Sequence, residues 1–78
     1  MQSYGANVVV HIDEELSDNA ISDMEHRLSG VDGVVSACVH ERTRHLWVID
    51  YDPRQVDSGE LLQRIRKNGV HAELIGGV

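Results

Sequence analysis

Seventy-eight residues with 41% apolar content make one small domain, of a size that buries roughly 60% of its unfolded surface around a single core. A net charge of −6 and one cysteine, Cys38, exclude a basic footprint for nucleic acid, an intramolecular disulfide and a multi-cysteine zinc site. No apolar run is long enough to span a bilayer, and Met-Gln-Ser-Tyr-Gly at the start has neither the basic nor the apolar segment of a signal peptide, so a reduced, cytoplasmic setting without membrane insertion is expected.

Residues 1–6 are expected to be a loose terminus. Asn7 to Ile12 alternates Val8, Val10 and Ile12 with Val9 and His11, which predicts a strand. Asp13 to Leu16 reads as an acidic loop. Ser17 is a suitable N-cap, and Asp18 beside it complements the helix dipole. Ala20, Ile21, Met24 and Leu28 then share one helical face. Ser29, Gly30, Asp32 and Gly33 end that helix and turn the chain.

Val34 to His40 predicts a second strand with Val34, Ala37 and Val39 inward, an irregularity at Val35–Ser36, and Cys38 and His40 outward. Glu41 to Arg44 is a short polar hairpin. Leu46 to Tyr51 is the strongest strand signal. Trp47, Ile49 and Tyr51 share one face, Leu46, Val48 and Asp50 the other, and Pro53 stops it. Asp57 is placed to cap a second helix, with Glu60 three residues on and a hydrophobic staple between Val56 and Leu61. Leu61, Leu62 and Ile65 form its inner face, and Gly69 is a left-handed stop. Val70 to Ile75 predicts a last strand with Val70, Ala72 and Leu74 inward, followed by a frayed Gly-Gly-Val tail.

The order βαββαβ with right-handed crossovers predicts an α+β, ferredoxin-like sandwich. Both helices cover one face of a four-stranded antiparallel sheet, in the strand order fourth, first, third, second. The other face is left open to water or to a partner.

Leu28 through Val39 with its Gly33-Val34, then Tyr51-Asp52-Pro53, Glu60-Leu61-Leu62, Ile65 and Gly69-Val70-His71-Ala72, resemble the heavy-metal-associated domain of copper chaperones and of the N-terminal modules of metal-transporting P-type ATPases. The resemblance runs from about Val8 to Leu74 and implies the same fold and a part in metal handling or transport. The family's chemical signature is a Cys-x-x-Cys pair where the first loop meets the first helix, two thiolates that grip a soft cation. Counted back from Leu28, Ser17 and Ala20 stand at those positions, and Glu14-Glu15-Leu16 replaces the family's Gly-Met. The resemblance therefore implies a domain without the thiolate site, and a first loop that meets a protein partner of opposite charge through Glu14 and Glu15.

Other residues offer metal ligands. His11, His40 and His71 are predicted near one edge of the open face. His71 and His11 are expected on adjacent strands about 5 Å apart, with His40 about 10 Å from His11 across Leu46. Two imidazoles and a carboxylate, Asp13 or Glu73, suit Zn(II), Ni(II) or Cu(II). The acidic loop lacks the spacing of a calcium loop. Val9, Leu46, Val48 and Ile75 make the open face apolar, which suits a protein partner or a homodimer. A metal-independent interaction or assembly module on the same scaffold is the alternative. The open face lacks the stacking aromatics of an RNA recognition motif, and the first loop lacks the phosphate cradle of acylphosphatase. No nucleophile stands beside a base, so a non-enzymatic role is expected.

Overall fold

In the computed structural model, residues 5–40 and 42–77 are described; the expectations for residues 1–4, Glu41 and Val78 lie outside them. The elements run β1 (Ala6–Ile12), α1 (Asp18–Ser29), β2 (Val34–Val39), β3 (Leu46–Tyr51), α2 (Ser58–Arg66) and β4 (Ala72–Gly77). The strands form one antiparallel sheet in the order β2-β3-β1-β4. This is the expected ferredoxin-like arrangement, with β3 and β1 in the middle.

The alternation in β1 and β3 places the core. Val8, Val10 and Ile12 of β1 and Trp47, Ile49 and Tyr51 of β3 are buried and meet Ile21, Met24 and Leu28 of α1 and Leu61 and Ile65 of α2. Ala37 and Val39 pack against this cluster from β2. Both helix starts form as their sequences require. Ser17 Oγ accepts from the Ala20 N–H at 3.2 Å, and Asp57 Oδ1 accepts from the Glu60 N–H at 2.7 Å, each satisfying a donor that the first turn leaves bare. Val56 and Leu61 are both buried, as the staple demands.

The two edge strands are irregular. In β2 the pairing moves from Val34–Tyr51 to Ser36–Asp50, so Val35 is squeezed out and is 72% exposed. In β4 it moves from Leu74–Val10 to Gly76–Val9, leaving Ile75 as the extra residue. Two expectations are corrected here. The strand starts at Ala72 rather than Val70, and Gly76 and Gly77 are paired with β1 rather than frayed. The backbone of β1 offers a free ladder edge there, and glycines can occupy it without any side chain to bury. Leu74 stands opposite Val10 yet stays 39% exposed, because β4 is the sheet's rim.

Gly33 and Gly69 both have positive φ, +99° and +85°, but their surroundings differ. A Cβ on Gly33 would lie 2.8 Å from Gln55 Cβ and from Val56 Cγ1, whereas one on Gly69 would meet nothing within 4 Å. Gly33→Ala carries both the left-handed penalty and a clash with the buried staple residue, and should cost roughly 2–4 kcal/mol. Gly69→Ala carries the conformational penalty alone, about 1 kcal/mol. Urea unfolding of the two variants should show that gap. Equal losses would mean that Val56 yields without cost.

Asp52 secures the turn that follows β3. Its N–H donates to the Gly33 carbonyl at 2.7 Å, and its carboxylate accepts from the Arg54 N–H and guanidinium and from the Gln55 amide. The Arg54 hydrogen bonds hold its pKa at about 2. The sequence Tyr-Asp-Pro-Arg is thus a turn built around a carboxylate that stays charged in mild acid.

Candidate metal centre

The first loop leaves β1 at Ile12, and β4 enters beside it at Ala72. These two residues are paired, and the Asp13 N–H donates to the His71 carbonyl at 2.9 Å. The pairing one step further places Glu73 directly opposite His11. Parity turns both side chains to the open face. Asp13 lies just past the end of the strand and folds back over His11. One ligand atom from each of His11, Asp13 and Glu73 lies within 4.8 Å of the others, and Asp13 and Glu73 are exposed.

His11 Nδ1 is the least ordinary atom of the group. It is shielded from solvent and has no aligned hydrogen bond, although Asp13 Oδ1 is 3.2 Å away. A shielded polar atom without a partner costs free energy, so native structures contain few of them. An imidazole whose Nδ1 lies 3.2 Å from one carboxylate, with a second carboxylate within reach of the same ring, is chemically a ligand set. Its nitrogen and oxygen donors match borderline divalent cations better than the soft Cu(I) ion.

His45, to which the sequence reading gives no role, completes the surroundings. Its backbone carbonyl accepts from the Ile12 N–H at 2.8 Å, and its Nδ1 donates to the Ile12 carbonyl at 2.8 Å. That bond selects the Nδ1–H tautomer and holds the ring still. The His11 ring stacks on it with centroids 5.8 Å apart and planes 22° apart. The signal was present in the pairing of Leu46 with His11, which puts the residue before Leu46 next to the end of β1.

His71 borders this group and His40 lies away from it, and neither ring belongs to the trio. The expected neighbours His11 and His71 are separated by the register, which gives the position opposite His11 to Glu73. His71 is instead held by Glu14. The carboxylate accepts from the His71 N–H at 2.8 Å and from its ring Nδ1 at 2.6 Å. Glu14, expected to face a partner, is therefore committed to a contact within the chain, while Glu15 is exposed. His40 follows β2, is exposed, and accepts from the Arg42 N–H at 3.2 Å through Nδ1. Val9, Leu46 and Val48 do share the open face, half-buried, with Cys38 opposite Val48 and Val9 on its other side.

The Glu14–His71 clasp has a pH signature. Its hydrogen bonds lower the Glu14 pKa from the ordinary 4.5 and raise the His71 pKa from the ordinary 6.5. A lowered carboxylate stabilises the fold above its unfolded pKa and loses that contribution as pH falls through its folded value. A raised imidazole stabilises below its unfolded pKa and loses that contribution as pH rises through its folded value. The clasp therefore contributes fully between about 4.5 and about 6.5. In Glu14→Gln, NMR titration of His71 should return its midpoint toward the ordinary value. An unmoved midpoint would mean that the clasp does not form in solution.

Arg66 lines the small cleft beside the trio, about 130 Å³, with Asp13, His71, Ala72 and Glu73. Its Nε donates to the Ala72 carbonyl at 3.0 Å. A guanidinium held in the same cleft as Asp13 and Glu73 opposes a bound cation, so affinity at this centre is expected to be modest.

The position of the first helix's cap is a different environment. Ser17 Oγ is engaged as the N-cap acceptor and Ala20 has no donor atom in its side chain. Cys38 is exposed on β2. These residues do not make a thiolate pair, and Cu(I) ligation at this loop does not fit them.

No protein-family model matches the sequence, and no curated protein matches it. Solved structures do share the fold. One is a copper binding domain from HMA7, a P-type ATPase, with a TM-score of 0.82 at 21% identity over 92% of this chain and 96% of that one. Another is the N-terminal domain of a potential copper-translocating P-type ATPase from Bacillus subtilis in the Cu(I)-loaded state, with a TM-score of 0.83 at 20% identity over 95% of this chain and 91% of that one.

Proposed function

We propose that this chain is a metal-handling domain that binds a divalent transition ion weakly at His11, Asp13 and Glu73, not through a cysteine pair. The observation that carries this reading is the shielded, unbonded His11 Nδ1 beside Asp13, in one group with Glu73. The folds it resembles support it, since both belong to copper-related ATPase domains by their descriptions. Zn(II), Ni(II) and Cu(II) suit the donor set. The bound ion would draw Asp13 and Glu73 together across the mouth of β1 and β4, and the open coordination positions would face solvent or a transport partner.

Calorimetric titration of chelator-treated protein with Zn(II), Ni(II), Cu(II) and Cu(I), with Cys38 kept reduced, tests this. One equivalent of a divalent ion should bind, and Glu73→Gln, which keeps the shape and removes the charge, should weaken it. Cu(I) should bind no more tightly than to an unrelated single-cysteine protein. Heat indistinguishable from dilution for all three divalent ions would sink the reading.

The row Cys38–Val48–Val9 on the uncovered face favours a second reading, a metal-independent interaction or assembly module. Under that reading the protein forms a stable oligomer or protein complex whose mass is the same with and without chelator.

A further inference from the structure

The side of the molecule away from the open face carries a separate feature. Where the last turns of α1 and α2 approach, a cavity of about 260 Å³ is lined by Arg27, Leu28, Val31, Arg64, Lys67 and Asn68. Its floor is apolar, with Leu28 in the core cluster and Val31 packed against it. Its walls carry three of the chain's seven bases. We propose that this cavity binds a small amphipathic oxyanion, a carboxylate or phosphate monoester whose short apolar substituent lies on Leu28 and Val31.

Charge accounting supports an anion. The chain has 13 acids against seven bases, so a base should find a carboxylate easily. Arg64 does so, with Glu60 at 3.4 Å. Among the described residues, neither Arg27 nor Lys67 is in an ion pair. Arg27 instead donates to the neutral Asn68 Oδ1 at 2.6 Å, and the Asn68 amide donates to the Arg64 carbonyl at 3.1 Å. This chain of bonds holds the Arg27 guanidinium across the gap between the helices. A planar guanidinium held in place suits bidentate oxyanion recognition, and a flexible ammonium beside it adds a point charge.

A cation in the last turn of a helix also complements the helix dipole, and that explains one base per helix end. It does not explain why the bases of two helices line a single apolar-floored cavity, nor why two of them have no acid. The volume is near the lower limit for small-molecule sites, which selects a headgroup with a short tail and excludes a nucleotide. The cavity shares no lining residue with the proposed metal trio, so this inference is independent of the metal reading.

The test is an NMR titration of the labelled, chelator-treated full chain with phenyl phosphate, benzoate, inorganic phosphate and benzyl alcohol. Phenyl phosphate and benzoate should give saturable shifts at the amides of Leu28, Val31, Lys67 and Asn68. The stronger of the two identifies the headgroup. Benzyl alcohol and inorganic phosphate should bind at least tenfold more weakly than phenyl phosphate. Lys67→Glu and Arg64→Glu, both at exposed positions, should each weaken phenyl phosphate at least tenfold while leaving the remaining spectrum in place. Three results would overturn the proposal: no saturable shift with either aromatic anion, equal binding of benzyl alcohol or inorganic phosphate, or unchanged affinity in a folded Lys67→Glu variant.

Discussion

Trp47→Ala should leave the domain largely unfolded at room temperature. Trp47 is fully buried near the start of β3, with Val10 on one side of it in the sheet and Val39 on the other. Truncating a buried tryptophan costs about 3–5 kcal/mol, because apolar contact is lost and the cavity does not collapse completely. A single small core supplies a net stability of about 3–5 kcal/mol, so the loss is comparable with the whole. Trp47→Phe is expected to behave differently. Trp47 Nε1 is buried without a hydrogen-bond partner, and removing an unsatisfied donor offsets part of the lost volume. A cost of about 1 kcal/mol is expected for Phe. Circular dichroism with urea reads both variants, since the chain's one tryptophan is the residue replaced. A cost for Phe close to that for Ala would mean that the indole N–H is bonded in solution. Unfolding also separates His11 from Glu73, which are distant in sequence, so Trp47→Ala should lose any metal affinity that depends on the trio.

The elements legible in the sequence were those whose side chains record a face or a donor. Leu46 to Tyr51 alternates half-buried and buried residues without interruption, and Ser17 and Asp57 carry the oxygens their helices require. Gly69 declares its turn because no other residue adopts that φ so cheaply. The end of β4 was not legible for the converse reason. Gly76 and Gly77 have no side chain to mark inside from outside, and the bulge at Ile75 breaks the alternation that would have marked it. The candidate centre inherited this uncertainty. His11 sits on a strand with clear parity, which turns it to the open face as expected, and Asp13 follows it in the loop. Their third partner depended on the β1–β4 register, and a step of two residues decides between His71 and Glu73 opposite His11. Nothing in the local pattern of Val70 to Ile75 makes that choice. Ile12 pairing with Ala72 does, together with Glu14 drawing His71 outward. His45 was missed because a hairpin residue is judged by its loop, whereas its position follows from the strand across the sheet.

His11→Ala should abolish transition-metal binding, and His71→Ala should preserve it. The two variants differ only in which imidazole is removed, and the structure gives the two rings different partners. Losing residues that merely orient a ligand commonly costs 10–100-fold in affinity, so removing a ligand should cost at least about 100-fold. The chemistry of what remains sharpens the expectation. Without His11 the centre has only the carboxylates of Asp13 and Glu73, and an all-oxygen pair favours Ni(II) or Cu(II) over the hard Mg(II) and Ca(II) ions by less than a set with an imidazole does. Selectivity should therefore fall together with affinity. His71→Ala frees the Glu14 carboxylate but leaves the pairing of Ile12 with Ala72, and with it the opposition of His11 and Glu73, in the sheet ladder. A change of no more than a few-fold is expected, in either direction. Metal titrations of both variants, with magnesium as the hard-ion control, decide the matter. Loss of binding in His71→Ala with binding kept in His11→Ala would move the centre to the Glu14–His71 clasp. Loss in both would require the two loops to act as one unit around the ion.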